Sequence, residues 1–109
     1  MTLQSQIKLL LAFPDSFIAW LKTQPADKRD EPRSHCDCWL SRFLQALTGN
    51  DRVNVTSDEV EVLVDNQRPY ANDLLIPRPA WTEQYIKQAA KRKKGLTPVQ
   101  AVVIAERLK

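Results

Sequence analysis

The chain has 109 residues, of which 43% are hydrophobic and 27% are charged, and its formal net charge at pH 7 is +3. This length favours one globular domain over residues 1–109, the composition is close to that of a typical soluble globular protein, and the presence of only two glycines argues against a turn-rich all-β sandwich. Neither a signal peptide nor the roughly 20 consecutive apolar residues of a membrane-spanning helix is recognisable. We therefore expect a cytoplasmic protein with no membrane partner.

The first third of the chain predicts two short helices and a charged loop. Apolar residues recur at helical spacing at Leu3, Ile7, Leu10 and Leu11. Pro14 interrupts this run, and a second helix is expected between Pro14 and Pro25, with Asp15 and Ser16 in its first turn. The segment PADKRDEPR, residues 25–33, has no apolar residue larger than alanine. It is expected to be a surface loop.

Residues 33–49, RSHCDCWLSRFLQALTG, include the only histidine and both cysteines of the chain. Ser34 followed by Asp37 resembles a capping box, with Asp in place of the usual Glu or Gln, and it predicts a helix with Ser34 as its N-cap. Gly49 and Asn50 are expected to end that helix. Its apolar stripe comprises Cys36, Leu40, Phe43, Leu44 and Leu47, with Trp39 at the edge.

The two cysteines raise the question of a metal or redox site. In a helix capped by Ser34, Cys36 and Cys38 are separated by about 200° of rotation, so their two thiols cannot coordinate the same metal ion. Structural zinc needs four ligands, and no second pair accompanies His35. We therefore expect no metal and no cofactor, with Cys36 in the core and Cys38 as the more exposed thiol. A metal or redox role for His35, Cys36 and Cys38 is kept as a third hypothesis for function.

Alternating valines predict a β-hairpin in the middle of the chain. Val53 and Val55 form the first alternation, and the second follows the turn-like TSDE at Val60, Val62 and Val64. Two strands alone are only marginally stable, so the hairpin must pack on helices or gain a third strand. The segment Leu74–Pro77 could supply that strand.

Two helices are expected after the hairpin. The first places Trp81, Tyr85 and Ala89 on one face and ends before Gly95, which would serve as its C-cap. The last helix has a complete start signal, with Thr97 as N-cap, Pro98 at the first helical position and Gln100 closing a capping box. The expected fold is therefore a small α+β domain, mostly helical, with one antiparallel hairpin or small sheet in the order α-α-α-β-β-α-α.

Nothing in the sequence indicates an active site. A single histidine limits any catalytic triad to His35, and the neighbouring cysteines are badly placed to be its nucleophile. With two glycines in the chain, no phosphate-binding glycine-rich loop is present in the sequence. We expect a protein that is not an enzyme.

The last helix is apolar on most of its circumference, which is typical of a helix buried against its own core or another chain. We therefore expect a protein–protein interaction or regulatory module, as a homodimer or with a foreign partner. The residues predicted to bind that partner are Val99, Val102, Val103, Ile104 and Leu108, together with Trp81. The three tryptophans could be interface anchors or core residues.

The alternative function is nucleic-acid binding through the basic C-terminal third. From Ala80 onward, seven Lys or Arg and two Glu give +5, whereas the nine basic and eleven acidic residues before it give −2. The predicted contacts are Lys91, Arg92, Lys93 and Lys94. These four residues could neutralise phosphates, or they could only complement the dipole at a helix end.

The segments CDCWLSRFL (residues 36–44) and PRPAWTEQYI (residues 77–86) resemble short uncharacterised proteins of bacteriophages and mobile elements. Those proteins carry a Cys-x-Leu-x-Arg-aromatic-Leu helix, a valine-rich hairpin and a helix that begins with Pro-x-Trp. The resemblance covers about half of the chain. It implies a phage- or host-interaction role, and it implies no catalytic activity.

Overall fold

The computed structural model describes residues 3–31, 37–55, 59–62, 74–77, 79–92 and 94–109. Over these ranges the chain forms five helices and one three-stranded antiparallel sheet, which confirms the α+β class. In chain order the elements are α1 (Leu3–Leu11), α2 (Asp15–Leu21), α3 (Trp39–Thr48), β1 (Val53–Val55), β2 (Glu59–Val62), β3 (Leu74–Pro77), α4 (Ala80–Ala89) and α5 (Pro98–Glu106).

The helices α1 and α2 form as the sequence predicts. Their apolar positions enter one continuous core with α3, α4 and α5, and the buried members from α1 and α2 are Ile7, Leu11, Phe17, Ile18 and Leu21. The ring of Phe17 lies at the centre of this core, with centroid distances of 5.4 Å to Phe43 and 5.1 Å to Tyr85. Aromatic pairs at such distances stabilise beyond their buried area.

The start predicted for α3 is wrong. The helix begins at Trp39, and Cys38 is its N-cap in an extended conformation, so Asp37 and Cys38 precede the helix. Asp37 does not serve a capping box, because its carboxylate accepts a hydrogen bond from Nε of Arg42 at 3.0 Å. Ser34, the predicted N-cap, lies outside the described residues. The helix ends at Gly49, whose φ of 69° is left-handed, as expected.

The predicted hairpin is confirmed, and Leu74–Pro77 supplies its third strand in the sheet order β1-β2-β3. Val55, Val60 and Ile76 lie opposite one another across the three strands, and all three are buried. These three residues lie on the side of the sheet that packs into the core, as the alternation of side chains along a strand requires. Val64 lies outside the described residues.

Side chains of α3 cover the outer edge of β1. Ser41 Oγ accepts a hydrogen bond from the backbone N–H of Val55 at 3.0 Å, and Gln45 Nε2 donates to the carbonyl of Val53 at 2.9 Å. These two backbone groups point away from β2, so without α3 they would lack a partner in the sheet. The helix and the sheet are therefore joined by hydrogen bonds as well as by apolar packing.

The capping box of α5 is confirmed. Gln100 N–H donates to Thr97 Oγ1 at 3.4 Å, and Thr97 N–H donates back to Gln100 Oε1 at 2.9 Å. The predicted end of α4 is wrong, because the helix stops at Ala89 with Ala90 as its C-cap. Gly95 has a different role: at a φ of 82° it lies against the backbone carbonyl of Asp30, where a Cβ atom would collide.

Candidate functional site

A groove of about 760 Å³ runs between the end of α4 and the end of α5. The polar face of α4 supplies one wall, because its exposed residues recur at intervals of three and four positions. Arg107, the C-cap of α5, lies on the opposite side. The groove is lined by Gln84, Lys87, Gln88, Ala90, Lys91, Arg92, Ile104 and Arg107.

The charge of this α4–α5 groove is positive. Its lining includes four basic residues and no carboxylate among the residues that the structure describes. Lys87 forms an exposed i,i+4 pair with Glu83 at 3.4 Å, which contributes little in water. No salt bridge within the described ranges involves Lys91, Arg92 or Arg107. Basic side chains that converge on a concave surface attract anions more strongly than the same charges spread over a convex one.

The residues predicted for nucleic-acid binding are thus only partly those of the groove. Lys91 and Arg92 line it, Lys94 is exposed on the following turn, and Lys93 lies outside the described residues. Sequence reasoning missed Gln84, Lys87, Gln88 and Arg107. The three-to-four spacing of Gln84, Lys87, Gln88 and Lys91 was a signal for the α4 wall. No sequence pattern near Arg107 predicts that it lies opposite this wall.

The predicted partner surface on α5 divides between the core and the solvent. Ile104 is buried, and Val102 and Leu108 are partly buried against the core. Val99 and Val103 are 64% and 46% exposed. These two line a smaller groove of about 320 Å³, together with Leu21, Lys22, Gln24, Ala26, Pro98 and Val102. The exposed apolar part of α5 therefore faces α2 and the loop that follows it.

Trp81 is not part of that surface in the described structure. It lies on α4, is half-buried, and its indole Nε1 donates to the carbonyl of Leu11 at 2.7 Å. Indole has one donor, so this bond holds Trp81 against α1. Trp39 is fully buried and Trp20 is partly buried against it, with ring centroids 5.8 Å apart. The tryptophans are thus largely core residues.

The prediction that Cys38 is an exposed thiol is wrong. Its side chain is buried, with Sγ 3.3 Å from Ser41 Oγ, and this burial raises the pKa of the thiol. Because Cys38 precedes α3, the helical rotation expected between Cys36 and Cys38 does not apply. His35 and Cys36 lie outside the described residues. Within the described ranges, no group of three or more His, Cys, Asp or Glu side chains could hold a metal ion.

Asp30 is a buried carboxylate, 3% exposed, that joins three segments. Its Oδ2 accepts the backbone N–H of Trp39 and its Oδ1 accepts that of Leu96, each at 2.9 Å. The carbonyl of Leu96 in turn accepts the indole N–H of Trp39 at 2.7 Å. Burial raises the pKa of Asp30, and the two backbone donors oppose that rise. Both carboxylate oxygens are engaged, so we assign this cluster a structural role.

Tyr85 lies near that cluster on the buried face of α4. Its hydroxyl has no hydrogen-bond partner among the residues that the structure describes. Burial raises the pKa of Tyr85 well above its usual value, and Asp30 and Cys38, when they are ionised, raise it further. The hydroxyl therefore stays protonated, and it is not positioned to act as a base.

Comparison with known proteins yields no relative: neither a family model, nor a curated protein, nor a solved structure matches the chain. The resemblance to phage and mobile-element proteins accordingly stays a prediction. Among the helices that the structure describes, none combines the length and the apolar character needed to cross a membrane.

Proposed function

We propose that this protein is a nucleic-acid-binding accessory protein and that the α4–α5 groove is its binding site. One observation carries the proposal: basic side chains from α4, from the turn that follows it and from the C-terminal end of α5 line a single groove whose described lining has no carboxylate. The sequence alone ranked this function second, since only the run of four basic residues at 91–94 was visible. The convergence of Lys87 and Arg107 on the same groove supports raising it to first.

Phosphate contacts of this kind derive their free energy mainly from the release of counterions. For four basic side chains on a duplex, the logarithm of the binding constant should fall with the logarithm of salt concentration with a slope of about −3.6. Exposed side chains such as Lys91, Arg92 and Arg107 are free to reach phosphates without any change in the core.

The test is fluorescence anisotropy of a short labelled duplex, titrated with the full chain at several salt concentrations. The groove variant K91Q/R92Q/R107Q removes three charges from the site. The control K8Q/K22Q/K28Q removes the same number from exposed residues outside the groove, so both variants have the same net charge. We expect the groove variant to lose about 10²-fold or more in affinity at low salt and the control to lose less than about threefold.

Equal losses in the two variants would mean that only net charge matters, and they would contradict the groove as the site. No binding of the unmodified protein to any nucleic acid at low salt would contradict the function itself. Circular dichroism of each variant checks that the fold is retained. All six substituted residues are exposed, so we expect no change.

The second candidate is the protein-interaction or regulatory module that the sequence favoured. The exposure of Val99 and Val103, beside the apolar residues Leu21, Ala26 and Pro98, supports it. We take the occupant to be a second copy of the chain, because homodimers of twofold symmetry are the commonest soluble assemblies. This candidate is independent of the α4–α5 groove.

Native mass spectrometry at moderate salt tests the second candidate. A dimer that the variant V99S/V103S converts to monomer would support it. The variant L9S is the control, because Leu9 is equally exposed, at 61%, but lies on α1. A monomer at all accessible concentrations, or a dimer that only L9S disrupts, would contradict an interface at Val99 and Val103.

A further inference from the structure

We infer that the α4–α5 groove binds double-stranded nucleic acid by its phosphate backbone, without base stacking and with little sequence preference. This inference rests on the proposed function and narrows it to one class of ligand. It depends on which side chains line the groove and on the concave shape of the site, not on its charge alone.

Stacking of bases distinguishes the binding of single strands from the binding of duplexes. Proteins that bind single strands combine a basic groove with aromatic side chains on which the bases stack. No aromatic residue is among those lining the groove in the described structure. The two aromatic residues of α4 point elsewhere, since Tyr85 is buried and Trp81 donates to the carbonyl of Leu11. The groove thus offers a single strand no stacking platform.

The density of phosphate charge differs between a duplex and a single strand. Lys87 lies in the last turn of α4, and Lys91 and Arg92 follow directly after that helix, so these three charges are confined to a short stretch of the groove. A duplex presents one charge per roughly 1.7 Å of its axis, about twice the density of a single strand with the same spacing. A site as short as this one can therefore contact more phosphates on a duplex than on a single strand.

The concave shape of the groove limits its contact with base edges. Major-groove readout requires a convex element, usually a helix, that enters the DNA groove and presents several polar side chains to base edges. Here the arrangement is inverted, because the protein surface is concave and Ala90 and Ile104 contribute apolar lining. A ridge of sugar and phosphate fits such a surface, whereas base edges do not reach it. Gln84 and Gln88 are then amide donors to phosphate, a contact that carries no sequence information.

The experiment compares labelled duplex DNA, duplex RNA and the separated strands of each, all of one length, by anisotropy with the full chain. We expect at least one duplex to bind about tenfold more tightly than its own single strands, with the steeper salt dependence of a duplex. We also expect AT-rich and GC-rich duplexes to agree within about threefold.

Single strands that bind as tightly as duplexes, or more tightly, would overturn this inference and leave the proposed function standing. Failure of every nucleic acid to bind would overturn both. Polyglutamate of matched charge is a further probe, and binding as tight as that of the duplexes would overturn the inference by showing that any polyanion suffices.

The variant Q84A/Q88A tests the role of the amides. We expect a small loss of affinity, about threefold, that is the same for AT-rich and GC-rich duplexes. A loss confined to one of the two sequences would mean that the glutamines read bases, and it would overturn backbone recognition. Both side chains lie at the groove rather than in the core, so the fold should be retained.

Discussion

Asp30 caps the helix that begins at Trp39, because its Oδ2 accepts the Trp39 backbone N–H at 2.9 Å. A cap is usually supplied by the residue just before the helix, but the side chain of Cys38 in that position makes no capping hydrogen bond. The remaining oxygen of Asp30 accepts the Leu96 N–H at 2.9 Å. One carboxylate therefore holds together the loop after α2, the start of α3 and the segment that precedes α5.

Replacing Asp30 by Asn should destabilise the protein by about 3 kcal/mol, because an amide can accept only one of the two N–H groups and leaves the other buried without a partner. Urea unfolding measures the change in the free energy of unfolding. The control is D37N: Asp37 is half-exposed in its pair with Arg42, so we expect a loss of no more than about 1 kcal/mol. Equal losses would contradict the capping role of Asp30.

The stability should also depend on pH through Asp30. Burial raises the pKa of this carboxyl above its ordinary value of 3.8 in the folded chain. The folded chain then binds the proton more tightly than the unfolded chain, so the contribution present below pH 3.8 is lost as the pH rises through the folded pKa. Unfolding curves of the unmodified protein and of D30N, measured as a function of pH, isolate the contribution of Asp30 to the free energy of unfolding. A difference in stability that instead grows with pH would show that the two N–H donors outweigh burial.

The two left-handed glycines should differ in their tolerance of a side chain. Gly49 has a φ of 69° and open space around its missing Cβ, so Gly49→Ala should cost about 1–2 kcal/mol from backbone strain alone. Gly95 has a φ of 82° and faces the Asp30 carbonyl. Gly95→Ala should therefore cost at least about 3 kcal/mol, since it adds a steric clash to the same strain. Thermal unfolding of both variants is the measurement, and similar losses would be inconsistent with the close approach at Gly95.

Cys38 should be unreactive in the folded protein. With Cys36 replaced by Ser, Cys38 is the only remaining thiol. Its burial and raised pKa should slow disulfide exchange with Ellman's reagent at neutral pH, so that labelling proceeds only as the chain opens. The same variant unfolded in urea gives the reference rate. Rapid labelling under native conditions would revive the redox hypothesis for this cysteine.

Elements with local signals could be predicted from the sequence. The capping box of Thr97 and Gln100, the left-handed end of α3 at Gly49 and the valine hairpin all depend on residues within a few positions of one another. For these elements the local preference and the tertiary structure agree. The α+β class followed from their order along the chain.

Elements that depend on distant partners could not be predicted. The start of α3 was misplaced because a local Ser–x–x–Asp pattern was visible, whereas the carboxylate that caps the helix comes from Asp30 in a preceding loop. The predicted set of groove residues was incomplete for the same reason. The basic run at 91–94 was visible in the sequence, whereas Arg107 reaches the groove only because α5 packs beside α4. Burial of Cys38 likewise depends on the packing of the core around it, not on its neighbours in sequence.

The hydrogen bonds that join Ser41 and Gln45 of α3 to the backbone of β1 have a consequence for self-association. An uncovered edge strand is a template on which another chain can add a strand, and this is a common route to aggregation. Here the N–H of Val55 and the carbonyl of Val53 already have partners in α3. The chain is thus protected from growing into fibrils along β1 for as long as α3 remains docked, and loosening that helix would expose the template.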